Sequence, residues 1–289
     1  MRHFFLFLTS ALFLFLALSA LIFVNPLRAQ TIKDTTWKHE LTAQLNLSQV
    51  SFSHWQAGGT DALAYIATLI GKSTQTLTST VWTNSYKLAF GQAKLNGQDI
   101  RKTDDEINLE SLLSYKWGVH IDPYVDATLL TQFAPGYTYS DTAAPVQVSA
   151  FFDPAYIKES AGIGFLLSKA FETRLGIGLR EIVTDKFNNY AAEPTENEVK
   201  KVRVTGGLES VSQLDFPIDT NVLFHTKLEL FAPIKTLDRI VVHGEGSITA
   251  KISKWFSTQL TALFINEPDV SPFTQIKEGL SLGISYAVF

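Results

Sequence analysis

The residues best able to do chemistry lie on two neighbouring predicted strands, which are joined by a loop at 232–238. If the two strands pair across that loop, His225 lies near Glu245 and Lys227 lies near His243. A histidine beside a carboxylate is half of an acid–base pair, because the carboxylate orients the imidazole and raises its proton affinity. His225, Glu245 and His243 are therefore the candidates for a hydrolase that acts on lipids or esters.

A second candidate site is the stretch SFSHWQAGG at 51–59. A tryptophan stacks on sugar faces and a histidine binds metals, so Trp55 and His54 together suggest a saccharide or metal site. However, no acidic residue accompanies His54 before Asp61, and the glycine pair at the end of the stretch suits a chain reversal. We interpret this stretch as a structural loop and predict no metal site.

Catalytic motifs are absent from residues 30–289. The sequence has no GxSxG, HExxH, P-loop or dinucleotide-binding pattern. It also contains no cysteine, which excludes disulfides, thiolate metal sites and a cysteine nucleophile. We predict a protein without a cofactor, and one that is not an enzyme.

The N-terminus is typical of a secretory signal peptide. Arg2 and His3 precede an apolar run, and a polar segment containing Pro26 leads to Ala29, where we predict cleavage. A membrane anchor is the alternative reading, because the run approaches the length of a spanning helix. Removing residues 1–29 takes away two of the 24 basic residues and no acid, which leaves 22 basic against 28 acidic residues, a net charge of −6. This acidic balance argues against a nucleic-acid partner.

The elements that must position these candidates alternate with a period of two. In a strand this period sends successive side chains to opposite faces, whereas no segment shows a convincing helical period. The pattern predicts twelve strands, near 41–48, 62–71, 82–91, 107–116, 122–133, 160–168, 171–180, 202–209, 222–230, 240–252, 256–264 and 280–288.

The connections between these strands alternate in length. The longer ones follow odd strands, near 52–61, 92–104, 134–158, 185–199, 232–238 and 267–274. Those after even strands are short, near 72–77, 117–119, 169–170, 213–218 and 253–254. Outer-membrane barrels have short periplasmic turns and longer external loops. The sequence therefore predicts an all-β fold, a single antiparallel transmembrane β-barrel of about twelve strands at 30–289, with the loop at 134–158 the longest. A water-soluble sheet protein is the architectural alternative.

Tryptophans support the membrane reading, since barrel aromatics gather at the two membrane interfaces. Trp37, Trp82, Trp117 and Trp255 all map to the predicted periplasmic end, and Trp55 maps to the other end. The final strand, LSLGISYAVF, ends in an aromatic residue and resembles the signal that the outer-membrane assembly machinery reads. We therefore expect that machinery and the lipid bilayer to be partners.

One face of the predicted strands carries charges of both signs, which suits the interior of a small aqueous barrel. We interpret these residues as lining the lumen rather than as catalytic. They are Glu110, Asp126, Arg174, Arg180, Arg203, Glu209, His225, Lys227, Glu229, His243, Glu245 and Lys251.

Five segments carry a family resemblance: LNLSQVSFSHWQAGG, RKTDDEINLESLLSYKW, TQFAPGYTY, FFDPAY and the terminal strand. In this order and spacing they resemble the domain of unknown function 3078 family of bacterial outer-membrane proteins. The resemblance spans nearly all of residues 30–289. It implies a barrel in the outer membrane, and it brings no activity and no catalytic residues.

Three functions remain open from the sequence. The leading hypothesis is a non-enzymatic barrel that passes or binds a small solute through its polar lumen, with the 134–158 loop as its gate. A lipid or ester hydrolase is the second, and it depends on His225 or His243. A structural or adhesion barrel is the third, and it depends on external loop residues such as Trp55, Tyr137 and Tyr139.

Overall fold

A computed structural model describes residues 37–50, 61–95, 97–118, 120–140, 143–192, 200–253, 255–269, 271 and 273–287. The predicted signal peptide, the His54 and Trp55 stretch and the terminal Phe289 lie outside these residues. Of the described residues, no helix is long and apolar enough to cross a membrane.

The described chain folds into fourteen strands, whose alternating side chains follow the pattern seen in the sequence. In chain order they are β1 (Lys38–Val50), β2 (Ala62–Thr76), β3 (Thr80–Leu95), β4 (Arg101–Tyr115), β5 (Ile121–Thr131), β6 (Gly136–Thr138), β7 (Val146–Ser149), β8 (Ala155–Leu166), β9 (Phe171–Val183), β10 (Val202–Asp219), β11 (Val222–Pro233), β12 (Val241–Lys251), β13 (Phe256–Asn266) and β14 (Gln275–Ala287).

Twelve of these strands form a closed antiparallel barrel, as the sequence predicted. Each strand pairs with its neighbours in the chain, except that β5 pairs with β8, and β1 closes the barrel against β14. The remaining strands, β6 and β7, form a separate hairpin. Leu175, Ile177 and Leu179 of β9 are exposed and point outward, whereas Arg174 between two outward positions is buried inside. An apolar exterior around a polar interior is the construction of a transmembrane barrel.

Two ends of the barrel can be distinguished by their connections. Short turns at 77–79, 116–120, 167–170, 220–221 and 252–255 define what we call the turn end. The connections at the opposite end, which we call the loop end, include 132–154, 184–201, 234–240 and 267–274. Trp37, Trp82, Trp117 and Trp255 all lie at the turn end, and the rings of Trp37 and Trp82 are 5.4 Å apart.

Several predicted boundaries were wrong. The residues predicted as a turn at 213–218 belong to β10, which continues through a bulge near Pro217 to a turn at 220–221. The connection predicted at 92–104 shrinks to 96–100. The long loop predicted at 134–158 spans 132–154, because β8 begins at Ala155, and it contains the unpredicted β6–β7 hairpin.

The long 132–154 connection is fastened to the rim of the barrel. The Asp105 carboxylate accepts hydrogen bonds from the backbone N–H groups of Phe133 and Ala134 at 2.7 and 2.8 Å. The Asp153 carboxylate accepts one from the backbone N–H of Lys186 at 2.7 Å, in the next connection at this end. These contacts give the loop end a defined shape.

Candidate functional site

Seven charged side chains form a continuous chain of ion pairs inside the barrel. Arg174 lies 2.8 Å from Glu110, Lys227 lies 3.5 Å from Glu110 and 2.7 Å from Glu229, and Lys158 lies 2.9 Å from Glu229 and 3.0 Å from Glu209. Asp126 is the last member at the Arg174 end of this series of ion pairs, and it lies 3.8 Å from Arg174. We call these residues the central network: Glu110, Asp126, Lys158, Arg174, Glu209, Lys227 and Glu229.

The central network crosses the lumen rather than following its wall. Glu110 is on β4 and Lys227 is on β11, and β5, β8, β9 and β10 separate these two strands in the barrel. Likewise, Lys158 on β8 reaches Glu229 on β11 past two intervening strands. Side chains on strands that are not neighbours can meet only through the interior of a closed barrel. The network therefore narrows the lumen at this level.

Glycines on β9 make room for the wall side of this network. A Cβ atom at Gly176 would lie 2.7 Å from the Tyr124 hydroxyl, and one at Gly178 would lie 3.2 Å from a Glu209 carboxylate oxygen. Gly176 is the register partner of Glu209, so the missing side chain leaves space directly beside that carboxylate. Arg174, on the same strand, also lies over the Tyr124 ring, at 5.5 Å from its centre.

A second group of charges lies nearer the loop end. Glu267, directly after β13, forms an ion pair with Arg180 of β9 and lies 2.7 Å from His243 of β12. Burial alone raises the pKa of the Glu267 carboxyl, but the hydrogen bond with His243 and the charge of Arg180 outweigh this effect and hold that pKa at about 2. Close by, Asp269 pairs with Arg239 at 2.9 Å and with Arg203 at 3.5 Å.

A cavity of about 220 Å³ lies between these two groups of charges. Lys158, Glu209 and Glu229 of the central network line one side of it, and Arg180, His243 and Glu267 line another. The remaining lining is largely aromatic and aliphatic, and includes Leu130, Tyr156, Tyr190, Phe231 and Ile265, with Gln275 at the start of β14. Of the residues that the structure describes, none from the 132–154 connection lines this cavity.

The turn end of the lumen holds the third group of polar residues. His225 Nδ1 lies 2.7 Å from the Asp215 carboxylate, and its Nε2 lies 4.0 Å from Glu245. The strand register pairs His225 with Ser247, Lys227 with Glu245 and Glu229 with His243. The register implied by a loop at 232–238 differs by two residues, because the loop runs over 234–240, although His225 does lie near Glu245 as predicted.

The other predicted residues fall in different surroundings. Lys251 is exposed at the turn end of β12. Tyr137 lies in β6 and Tyr139 follows it, with ring centres 6.4 Å apart, and Arg101 lies over the Tyr139 ring. Trp55 is outside the described residues. Within the described part of the chain, no cluster of three or more His, Asp or Glu side chains could hold a metal ion.

Sequence reasoning missed several members of these groups. Lys158 and Glu267 lie at positions predicted as loop, and Asp215 lies in the segment predicted as a turn. The even spacing of Lys158 from Ser160 and Gly162 on β8 is a signal that could have found it, once the strand was extended to Ala155. No pattern in the sequence marks the partners that these residues meet across the barrel.

One known protein family matches part of the chain. Residues 47–137 match the family described as "Protein of unknown function (DUF3078)", which confirms the resemblance over that part of the chain; the FFDPAY segment and the terminal strand lie outside the match. No curated protein matches the chain.

Solved outer-membrane structures also align with the chain. The translocator domain of the autotransporter NalP from Neisseria meningitidis aligns over 88% of this chain and 89% of its own, at 11% identity and a TM-score of 0.39. An outer-membrane channel from Pseudomonas putida F1 aligns over 91% of this chain and 98% of its own, at 12% identity and a TM-score of 0.40. At such low identities and TM-scores these likenesses assign no function to this chain.

Proposed function

We propose that this chain is an outer-membrane barrel that binds a small solute in its interior cavity and passes it when the central network opens. The observation that carries the proposal is the chain of ion pairs that crosses the lumen beside the cavity. In this arrangement the turn end faces the periplasm and the loop end faces outward, as the short turns and longer loops of such barrels do.

The central network is suited to reversible opening because each of its three cations already has two carboxylate partners. Lys227 sits between Glu110 and Glu229, and Lys158 sits between Glu229 and Glu209. A solute with donors and acceptors can replace one such contact without leaving a buried charge unpaired, which would be costly. A solute without polar groups cannot do so.

The proposed constriction is the central network, and not the 134–158 loop that was predicted as the gate. The loop is held at the rim by Asp105 and Asp153, and the cavity is lined by strand residues and by the 184–201 and 267–274 connections. Nothing in the proposed role requires catalysis by these residues.

The test is single-channel conductance of the purified, refolded protein in a planar bilayer. We expect Glu110→Ala/Lys227→Ala to raise the stepwise current several-fold, because it removes the link between β4 and β11. Lys87→Ala/Glu106→Ala is the matched control, since that pair, 2.7 Å apart, joins neighbouring strands and leaves the crossing intact. Equal currents in wild type and the Glu110/Lys227 variant would refute the network as the constriction, and deletion of 137–150 should change the current little.

A catalytic alternative has one favourable observation. Asp215, His225 and Ser247 are consecutive register partners across β10, β11 and β12, in the order of a serine–histidine–aspartate hydrolase, and the Asp215–His225 contact is already 2.7 Å. This alternative predicts hydrolysis of p-nitrophenyl esters or phospholipids that Ser247→Ala and His225→Gln each abolish while the barrel still folds. Absence of turnover by the wild-type protein would remove it.

A further inference from the structure

The seam between the first and last strands is closed over part of its length. β1 pairs with β14 from Thr42 with Ala287 to Asn46 with Gly283. Within the described residues, the pairing does not continue toward the loop end, although Leu47–Val50 still pair with β2 and Gln275–Leu282 still pair with β13. The four residues Leu47–Val50 alone correspond to about 13 Å of strand. The barrel wall therefore has a gap at the loop-end half of this seam.

Side-chain exposure on the outer face rises along both seam strands at the same place. Leu260 on β13 and Leu280 on β14 are direct register partners on the outer face, yet Leu260 is 50% exposed and Leu280 is 78% exposed. On β1, Leu45 within the paired region is 41% exposed, and Leu47 just beyond it is 60% exposed. Each rise occurs where the flanking strand is missing.

An open strand edge is unfavourable inside a bilayer, because alternate backbone N–H and C=O groups then face hydrocarbon without partners. Such an edge is tolerated where it borders a cavity or a polar ligand. On the interior side of the gap, β14 carries the small residues Gly279 and Ser281, and its first residue, Gln275, lines the cavity. Lys277 lies between these small residues and Gln275 on the same face, and its ammonium pairs with Asp104 at 2.9 Å, so the route from the gap to the cavity passes this ion pair.

We propose that this gap is a lateral portal through which a single-chain lipid moves between the outer leaflet of the membrane and the interior cavity. The inference rests on the proposed function and names the class of solute. The apolar lining of the cavity, with Leu130, Phe231 and Ile265, accepts the hydrocarbon chain. The neighbouring Arg180 and Lys158 offer the polar head of the lipid charged hydrogen-bond donors.

Cysteine pairs provide a direct test, because the chain has no native cysteine. Leu45→Cys/Ile284→Cys is the control pair, since these residues are register partners within the closed part of the seam. Leu47→Cys/Leu282→Cys is the test pair, one step further on the same outer face. We expect mild oxidation to link the control pair and to leave the test pair reduced, because a disulfide cannot span Cα atoms more than about 7 Å apart.

The second step measures ligand access with cis-parinaric acid, a fluorescent fatty acid. A bifunctional maleimide long enough to bridge the test pair should reduce binding of the probe at least tenfold, whereas the disulfide in the control pair should leave it unchanged. Ready disulfide formation by the test pair would overturn the portal, and so would full probe binding after bridging. Disulfide-linked dimers of the single variant Leu280→Cys would overturn it too, because they would assign the gap to a second copy.

The two proposals fail in different ways. If the network is not the constriction, the Glu110→Ala/Lys227→Ala conductance is unchanged, whatever the seam does. If the portal is absent, the cross-linking results change while the effect of the network variant on conductance remains.

Discussion

The wall formed by β8, β9, β10 and β11 and the seam between β14 and β1 are made from similar alternating strands, yet they are held together differently. The wall strands are paired along nearly their whole lengths, and five of their charged residues are held in the central network: Lys158, Arg174, Glu209, Lys227 and Glu229. Among the described residues, the seam has five residue pairs. The alternating pattern therefore predicts that a strand belongs to the barrel. It does not predict how many backbone pairs and ion pairs join that strand to its neighbours.

The largest expected effect comes from breaking the wall side of the central network. Lys158→Met leaves Glu209 and Glu229 without their shared cation, and the loss of one partner from a buried ion pair typically costs about 3–5 kcal/mol of unfolding free energy. Urea unfolding followed by tryptophan fluorescence measures this loss.

Lys87→Met is the control for that variant. Lys87 pairs with Glu106 between β3 and β4, outside the wall, and is more exposed than Lys158, so its loss should cost about 0–1 kcal/mol. Equal losses in the two variants would mean that the wall is not distinguished by its network.

A smaller effect is expected from Glu267, which forms an ion pair with Arg180 of β9 and contacts His243 of β12, between the wall and the seam. The pKa of Glu267 is about 2 in the folded protein and near its ordinary value of about 4.3 in the unfolded chain. The ion pair therefore contributes stability above about pH 4.3, and this contribution is lost as the pH falls toward 2.

Unfolding free energies of wild type and Glu267→Gln between pH 2 and pH 7 test this expectation. The advantage of wild type should be largest at neutral pH and should shrink as the pH falls below about 4.3. A difference that stays constant down to pH 2 would show that the Glu267 carboxylate does not carry it.

The smallest effect is expected in hydrogen exchange, which is measured on the wild-type protein. Alternate amides of Gly279–Leu282 and Leu47–Val50 point toward the gap, so they should exchange faster than amides of β9 and β10. Mass spectrometry of the folded protein in detergent resolves these segments. Equal protection of seam and wall would contradict the open seam.

Much of the barrel was predictable because a period of two is a local signal. The errors arose where a local residue pattern is compatible with more than one structure. The segment predicted as a turn at 213–218 contains Pro217, but a proline is tolerated at a strand bulge, and β10 continues past it. Asp104 lies at the end of the connection predicted at 92–104, but it belongs to β4, where Lys277 of β14 pairs with it.

For the candidate site, the sequence predicted only which face of each strand the residues occupy. Parity placed Glu110, Arg174 and Glu229 on the same side of their strands, which is information held within each strand. Their contacts depend on which strands oppose each other across the lumen, and that arrangement follows from closure of the whole sheet. The same is true of the cavity, whose lining comes from widely separated parts of the chain.

The seam also has a consequence for the order of folding. Thr42 and Ala287 lie at opposite ends of the described chain, so their pairing closes the longest loop in the barrel. The entropy of closing a loop rises with its length, and contacts between distant residues form late. β14 must therefore pair with β1 across the whole described chain, and among the described residues only five residue pairs stabilise that step. Closure of this barrel should be its slowest folding event.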